Sequence, residues 1–291
     1  MNFDVLNQKI SEATGTLFKG RFSEHIHGGC ISETFKIMDG VRSFFVKAAP
    51  SSQASTLNGE WVSLCELANN GYVKTPKPIT LTNEHFSADL NFLVLEWLEF
   101  SNNSPLEGYR TLGENLANMH LHCRASEFGL KEHNTIGGTF QNNSPETNWS
   151  RFFLERRLIP QLDMAQARGG ILKHRSGLEK RVESILKGHD VRPSLLHGDL
   201  WGGNAAICSD GTPVIFDPAS YYGDPEADMA MTTLFGGFPN AFYAAYHDIR
   251  PRQPGWRIRH IIYNLYHILN HYNLFGGGYL TQAQQMADQI I

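Results

Sequence analysis

The chain has 291 residues, 41% hydrophobic and 19% charged, a balance that supports a buried core and excludes the low-hydrophobicity, high-charge signature of a disordered protein. Its 25 basic and 29 acidic residues leave a formal net charge of -4, so no global field gathers nucleic acid or an anionic membrane, and a ligand must be found by a local site. The N-terminal stretch MNFDVLNQKISEATG lacks a basic region followed by an apolar one, and no later run reaches membrane-span length; a soluble, cytoplasmic location is expected. Cys30, Cys65, Cys123 and Cys208 are scattered without a C-x-x-C pair, which argues against a zinc site or a disulfide framework and for reduced thiols.

The texture changes once. Up to about residue 100 the chain reads as short β segments around one helix, and beyond that mostly as helices interrupted by a hairpin-like stretch near 205–217. The expected class is α+β, with a small β-rich N-lobe over residues 1–98 and a larger, mainly helical C-lobe over 99–291.

In GGCISETFKIMDGVRSFFVKAA two β-like runs flank Asp39-Gly40, a dipeptide suited to a two-residue hairpin loop. With those two residues as the loop, Lys47 lies opposite Ser32, close to Gly28-Gly29-Cys30, a turn whose bare N–H groups suit phosphate oxygens. Next, Leu57, Trp61, Leu64 and Ala68 repeat at helical spacing, with serines available as N-cap, and Glu60 flanks that stripe within reach of Lys47. The run NFLVLEWLEF reads as a buried strand leaving into a connector, where backbone groups near Glu96 and Leu98 can meet the edge of an adenine.

The second Asp-Gly hairpin lies in the C-lobe. With Asp210-Gly211 as its loop, Asn204 and Asp217 face each other across its open end. An amide oxygen and a carboxylate so placed suit Mg²⁺, which prefers oxygen ligands and keeps substrate phosphates in its shell; a one-residue bulge breaks this register. Asp199 sits at the mouth as candidate base for a substrate hydroxyl, and His197 braces the loop. The same Asp and Asn residues also serve as caps in Asx-rich turns, and Lys47 taken alone reads as a solvated strand lysine.

Lys47, Glu60, His197-Gly198-Asp199, Asn204 and Asp217 together resemble the protein-kinase-like fold in its small-molecule branch, the relatives of aminoglycoside and choline phosphotransferases. Asp199 and Asn204 keep the five-residue step of the kinase catalytic loop, and Asp217 stands in the place of the D-F-G aspartate. HGDLWGGN, NTIGGTFQ, FFLERRL, DMAMTTLFGGF and FGGGYLTQA resemble the fructosamine kinase or ketosamine 3-kinase family and cover nearly the whole chain. The resemblance implies ATP- and Mg²⁺-dependent phosphorylation of the 3-hydroxyl of ribulosamine, erythrulosamine or fructosamine adducts, small or protein-bound, in a deglycation role. Alternatives are a kinase for an aminoglycoside, choline or similar alcohol, or a catalytically weak nucleotide-binding relative. Gly202 departs from the serine usual in the family and is expected to be tolerated. Too few residues follow Asp217 for a protein-kinase activation segment.

Other residues read less sharply. Asp228 hydrogen-bonds the catalytic loop, as the resemblance implies, or is an ordinary acid at a helix start. Trp201 stacks on a sugar face or anchors the core. Cys30 is either a thiolate favoured by neighbouring N–H groups or an inert small residue. His260, His267 and His271, with Asn264, share one helix face, read as packing rather than a metal site, and His120 and His122 point apart. Trp149, Arg151, Phe152, Glu155 and Arg156 lie in a C-lobe segment where pocket and packing are not separable from sequence.

Overall fold

The computed structural model describes residues 3–26, 32–82, 90–103 and 105–291. The N-terminal region is a five-stranded antiparallel sheet of β1 (Arg21–His25), β2 (Glu33–Met38), β3 (Ser43–Pro50), β4 (Pro78–Leu81) and β5 (Leu90–Glu96), ordered β1-β2-β3-β5-β4. Period-two alternation divides its side chains between two helices. Phe44, Val46, Phe92 and Val94 pack with Leu6 and Ile10 of α1 (Phe3–Thr14), whereas Leu93 and Leu95 pack with Leu57 and Leu64 of α2 (Ala54–Asn70). Lys47 lies between Val46 and Ala48, which face α1, and so points to the α2 side.

Several expectations change here. Helix α1, with its short apolar stripe, adds a second helix to the one expected. The β2–β3 pairing sets Lys47 opposite Thr34, not Ser32. The loop is Gly40-Val41 rather than Asp39-Gly40, because Gly40 takes the positive φ of 93° at the first loop position while the Asp39 carboxylate accepts from the Val41 and Arg42 N–H groups. Helix α2 begins after Gln53 without a side-chain cap, the serines lying ahead of it in a 3₁₀ turn, and Leu67 is buried where Ala68 is exposed.

Residues 97–103 lead toward the C-terminal region and dock on its hairpin: the Ser101 N–H donates to Ile207 O (2.8 Å) and the Ser209 N–H to Glu99 O (2.9 Å). The elements that follow are α3 (Leu106–His122), β6 (Asn134–Ile136), β7 (Thr139–Gln141), α4 (Trp149–Phe153), α5 (Ile159–Ala167), α6 (Arg175–Lys187), β8 (Ser194–Leu196), β9 (Ala205–Ile207), β10 (Pro213–Ile215), β11 (Tyr221–Gly223), α7 (Pro225–Leu234), α8 (Asn240–Ile249), α9 (Trp256–Phe275) and α10 (Tyr279–Ile290). Helix α9 is the axis of the core, buried without a break from Ile262 to Asn270. Between α4 and α5, Leu154–Leu158 widens into a π turn just ahead of Pro160, whose missing N–H and bulky ring disfavour regular α winding. Among the described residues no helix is long and apolar enough to cross a membrane.

Candidate active site

The site is built where β8 ends. All three of its residues are buried and pair with β11, and the chain then turns through His197-Gly198-Asp199. Gly198 has φ of 85°, and a Cβ there would stand 2.0 Å from Ala219 O, so only glycine fits. The buried Asp228, in the first turn of α7, accepts from the N–H groups of His197 and Gly198 (2.8 Å each). His197 Nε2–H donates to Phe216 O (2.9 Å), which leaves Nδ1 to accept from the Asp199 N–H (3.2 Å). Burial lowers the His197 pKa, in keeping with a neutral ring. Behind Asp228 stands His120, fully buried, with Nε2 on Asp228 (3.2 Å) and Nδ1 on the Tyr246 hydroxyl (2.8 Å). Burial pushes Asp228 upward, but the His120 hydrogen bond and neighbouring charges and N–H groups hold it below the usual carboxylate range.

The expected pairing of Asn204 with Asp217 is off by one residue. Ala205 pairs with Ile215, and the Phe216 N–H donates to Asn204 O (3.0 Å), so Asn204 faces Phe216. The tip is a three-residue loop, Ser209-Asp210-Gly211, closed by the Cys208 N–H on Thr212 O (2.8 Å), with Gly211 at φ 86° as the extra residue. Asp217 is nevertheless in the site. It adopts a left-handed φ of 56°, rare for a residue with a side chain, and its Oδ1 lies 2.6 Å from Lys47 Nζ.

Lys47 Nζ also donates to Glu60 Oε2 (2.8 Å), so one ammonium ties β3, α2 and the C-terminal region together. Burial works against its charge, but Asp217 and Glu60 outweigh that and raise its pKa. Asn204 Nδ2 faces three acceptors, Asp199 O (2.8 Å), Asp199 Oδ2 (3.4 Å) and Asp217 O (3.4 Å). Those contacts fix the amide's orientation and leave Asn204 Oδ1, like the second Asp217 oxygen, without a hydrogen bond among the described residues. Two free hard oxygens on adjoining residues are a donor set that suits Mg²⁺. Asp199 carries the clearest perturbation: burial first, then Asp217 and Asp228, push its pKa up to about 7, where a carboxylate both ionises and accepts a proton near neutrality.

Of the other candidates, Gly28, Gly29 and Cys30 lie outside the described residues. The Glu96 N–H is tied to Lys77 O (2.8 Å), while the N–H and C=O of Leu98 have no partner among the described residues. Trp201 is 37% exposed, edge-on to Phe235, with its ring over Gly203. A Cβ at Gly202 would meet only the Phe238 ring, at 4.0 Å. Cys65, Cys123 and Cys208 are free thiols. His260 bonds Thr233 and the His271 ring bonds the His267 carbonyl, so the α9 histidines form no ligand cluster. His120 is buried while His122 is exposed against Tyr72. Trp149 and Phe152 belong to the core and Arg151 pairs with Glu146 at the surface, whereas Glu155 and Arg156 stand 3.5 Å apart in the π turn.

Sequence reasoning missed the clamp on α2. Ser63 Oγ accepts from the Ser220 N–H (3.1 Å) and Asn134 Nδ2 (3.2 Å), Gly59 lies against Asn134, and Gln141 Nε2 donates to Ala219 O (3.1 Å). The β6–β7 hairpin, the NTIGGTFQ segment, thus holds both the helix that carries Glu60 and the strand that follows Asp217. The available signal was Gly59: a glycine inside a helix costs about 1 kcal/mol and needs a packing reason.

The fructosamine kinase family model matches residues 2–291. The chain belongs to that family. It is 44% identical to a Synechocystis protein named a probable ketoamine kinase, over 99% of this chain and 97% of that one. It is 36% identical to the Mus musculus ketosamine-3-kinase, over 88% and 90%. A crystal structure from Haemophilus somnus named as a fructosamine-3-kinase superposes with a TM-score of 0.91 at 30% identity, covering 98% of this chain and 96% of that one. Aminoglycoside phosphotransferases share the two-lobed, protein-kinase-like fold alone.

Proposed function

We propose that the protein is an ATP-dependent ketosamine 3-kinase, transferring phosphate to the 3-hydroxyl of ribulosamine, erythrulosamine or fructosamine adducts in cytoplasmic deglycation. The observation that carries this reading is the single ammonium of Lys47 held between Glu60 and Asp217, with Asp199 tied to the same Asn204 that borders Asp217. In this reading residues 1–98 bind the nucleotide and 99–291 supply the catalytic loop and acceptor site.

Lys47, oriented by Glu60, meets the phosphates with little side-chain freedom left to lose, and the backbone near Glu96 and Leu98 receives the adenine. Asn204 and Asp217 hold Mg²⁺, which when bound neutralises charge on the phosphates. Asp199 orients the sugar hydroxyl and takes its proton as the oxygen attacks phosphorus. Trp201 offers its exposed ring to the sugar, and Gly28, Gly29 and Cys30 are the candidates to cover the phosphates.

The test is ADP release with ATP and Mg²⁺ across ribulosyl-, erythrulosyl- and fructosyl-lysine, choline and aminoglycosides, with the product's phosphate position read by ³¹P NMR. A 3-phosphorylated sugar-amine is expected. ADP release with choline or an aminoglycoside alone overturns the acceptor assignment, and bound nucleotide without turnover on any of them overturns the kinase.

A further inference from the structure

A cavity of about 600 Å³ opens behind the catalytic loop, at the end of β8 away from Asp199, between the end of α3, the start of α7 and the segment after α8. That volume is within the range of small-molecule sites and too small for a folded partner. Four arginines line it, Arg124, Arg192 and Arg252 exposed at its mouth and Arg250 half-buried, and none of the four has an ion-pair partner among the described residues.

The cavity's carboxylates do not cancel them. Asp224 already accepts from Tyr263 and His189, and both oxygens of Glu226 are held by Arg259, 2.7 Å from each. Asp190 remains, exposed at the rim. The crowding is felt at Arg124, where burial first and then the charges of Arg250 and Arg192 press the guanidinium below its ordinary pKa. Like charges gathered without counter-charge destabilise a fold unless an anion joins them, and guanidinium forks match phosphate oxygens two at a time.

We infer that this arginine-lined cavity is a binding site for a small phosphate-bearing metabolite, separate from the nucleotide site. It does not depend on which acceptor the enzyme phosphorylates.

The probe is inorganic phosphate, followed by a sugar phosphate, titrated calorimetrically into the full chain saturated with Mg²⁺ and a non-hydrolysable ATP analogue, so that the nucleotide site is closed to it. Saturable binding that weakens with chloride is expected, reduced about tenfold by Arg192→Gln and by Arg250→Gln, the loss of one charge-assisted contact. The Arg192 side chain makes no hydrogen bond or ion pair among the described residues, so an unchanged melting temperature shows that its variant is folded. No saturable heat, or equal affinity in wild type and both variants, overturns the site.

Discussion

The β2–β3 and β9–β10 hairpins both carry Asp-Gly near their tips, and they close differently. The first has a two-residue loop moved one position along the chain, so cross-strand partners shift by two and every side chain keeps its face; Lys47 still points to α2. The second has one residue more in its loop, so partners shift by one, and Asp217 falls beyond the residue paired with Asn204. A glycine supplies positive φ in both, Gly40 at 93° and Gly211 at 86°. The first hairpin needs nothing further. The second recovers its chemistry through a strained residue, Asp217 at φ 56°, held where the clamp on Ala219 and Ser220 fixes the chain that follows. Moving a turn is harmless to a site, whereas lengthening one must be compensated.

The largest effect should come from the mouth of the second hairpin. Asp199→Asn is expected to lower kcat by about 10³-fold while leaving the ATP KM nearly unchanged, because its part is confined to the acceptor proton. In the wild-type enzyme kcat/KM should fall about tenfold per pH unit below pH about 7, as Asp199 protonates, and this limb should vanish in the variant. The linkage sign runs the other way for stability. A carboxylate whose folded pKa is raised opposes folding once ionised: the penalty is absent below its ordinary pKa and grows as pH rises to about 7. Asp199→Asn should therefore be more stable than wild type at pH 8, by about 1 to 2 kcal/mol, with the gain gone at pH 4. A denaturant series at both pH values checks this, and equal midpoints at pH 8 would show that the buried Asp199 carboxylate carries no such penalty.

The difference between the hairpins also separates what was legible from what was not. That Lys47, Glu60, Asp199, Asn204 and Asp217 lie near one another was readable because β alternation fixes a side chain's face, helical spacing its stripe and a short loop its neighbourhood. Loop length was not, because Asp-Gly satisfies a two-residue loop and a three-residue loop with a bulge equally well, and the choice is made by Asp39 accepting Val41 and Arg42 N–H groups or by Cys208 closing on Thr212. The clamp through Ser63, Asn134 and Gln141 was hidden for another reason. Single polar residues far apart in the chain carry no period, and only the packed fold shows that their hydrogen bonds meet.

Glycines sharpen the comparison through stability. Gly198→Ala forces a Cβ to 2.0 Å from Ala219 O at positive φ. It should cost about 3 kcal/mol or more and lower turnover by about 10²-fold in whatever fraction folds. Gly211→Ala and Gly40→Ala share the positive φ, but a Cβ at either meets nothing within 4 Å. Each should cost only about 1 kcal/mol and leave kcat within about twofold. Thermal midpoints and turnover of the three variants, measured side by side, distinguish backbone conformation from close approach; a Gly211 variant as damaging as Gly198→Ala would show that the hairpin tip, and not the loop after β8, governs the site.

The smallest effect is expected at Gly202, between Asp199 and Asn204. A Cβ there meets only the edge of the Phe238 ring at 4.0 Å, an ordinary contact, and the residue has no positive φ. Gly202→Ser should change stability by less than about 0.5 kcal/mol and leave the ATP KM and the pH limb of Asp199 where they are, since neither hydrogen bond of Asn204 to Asp199 passes through that position. The neighbouring Gly203 is the contrast, because a Cβ there would stand 2.3 Å from the Trp201 ring. Gly203→Ala must displace that ring, and if Trp201 faces the sugar, the acceptor KM should rise while the ATP KM does not. An acceptor KM that stays constant in Gly203→Ala would make Trp201 a packing residue.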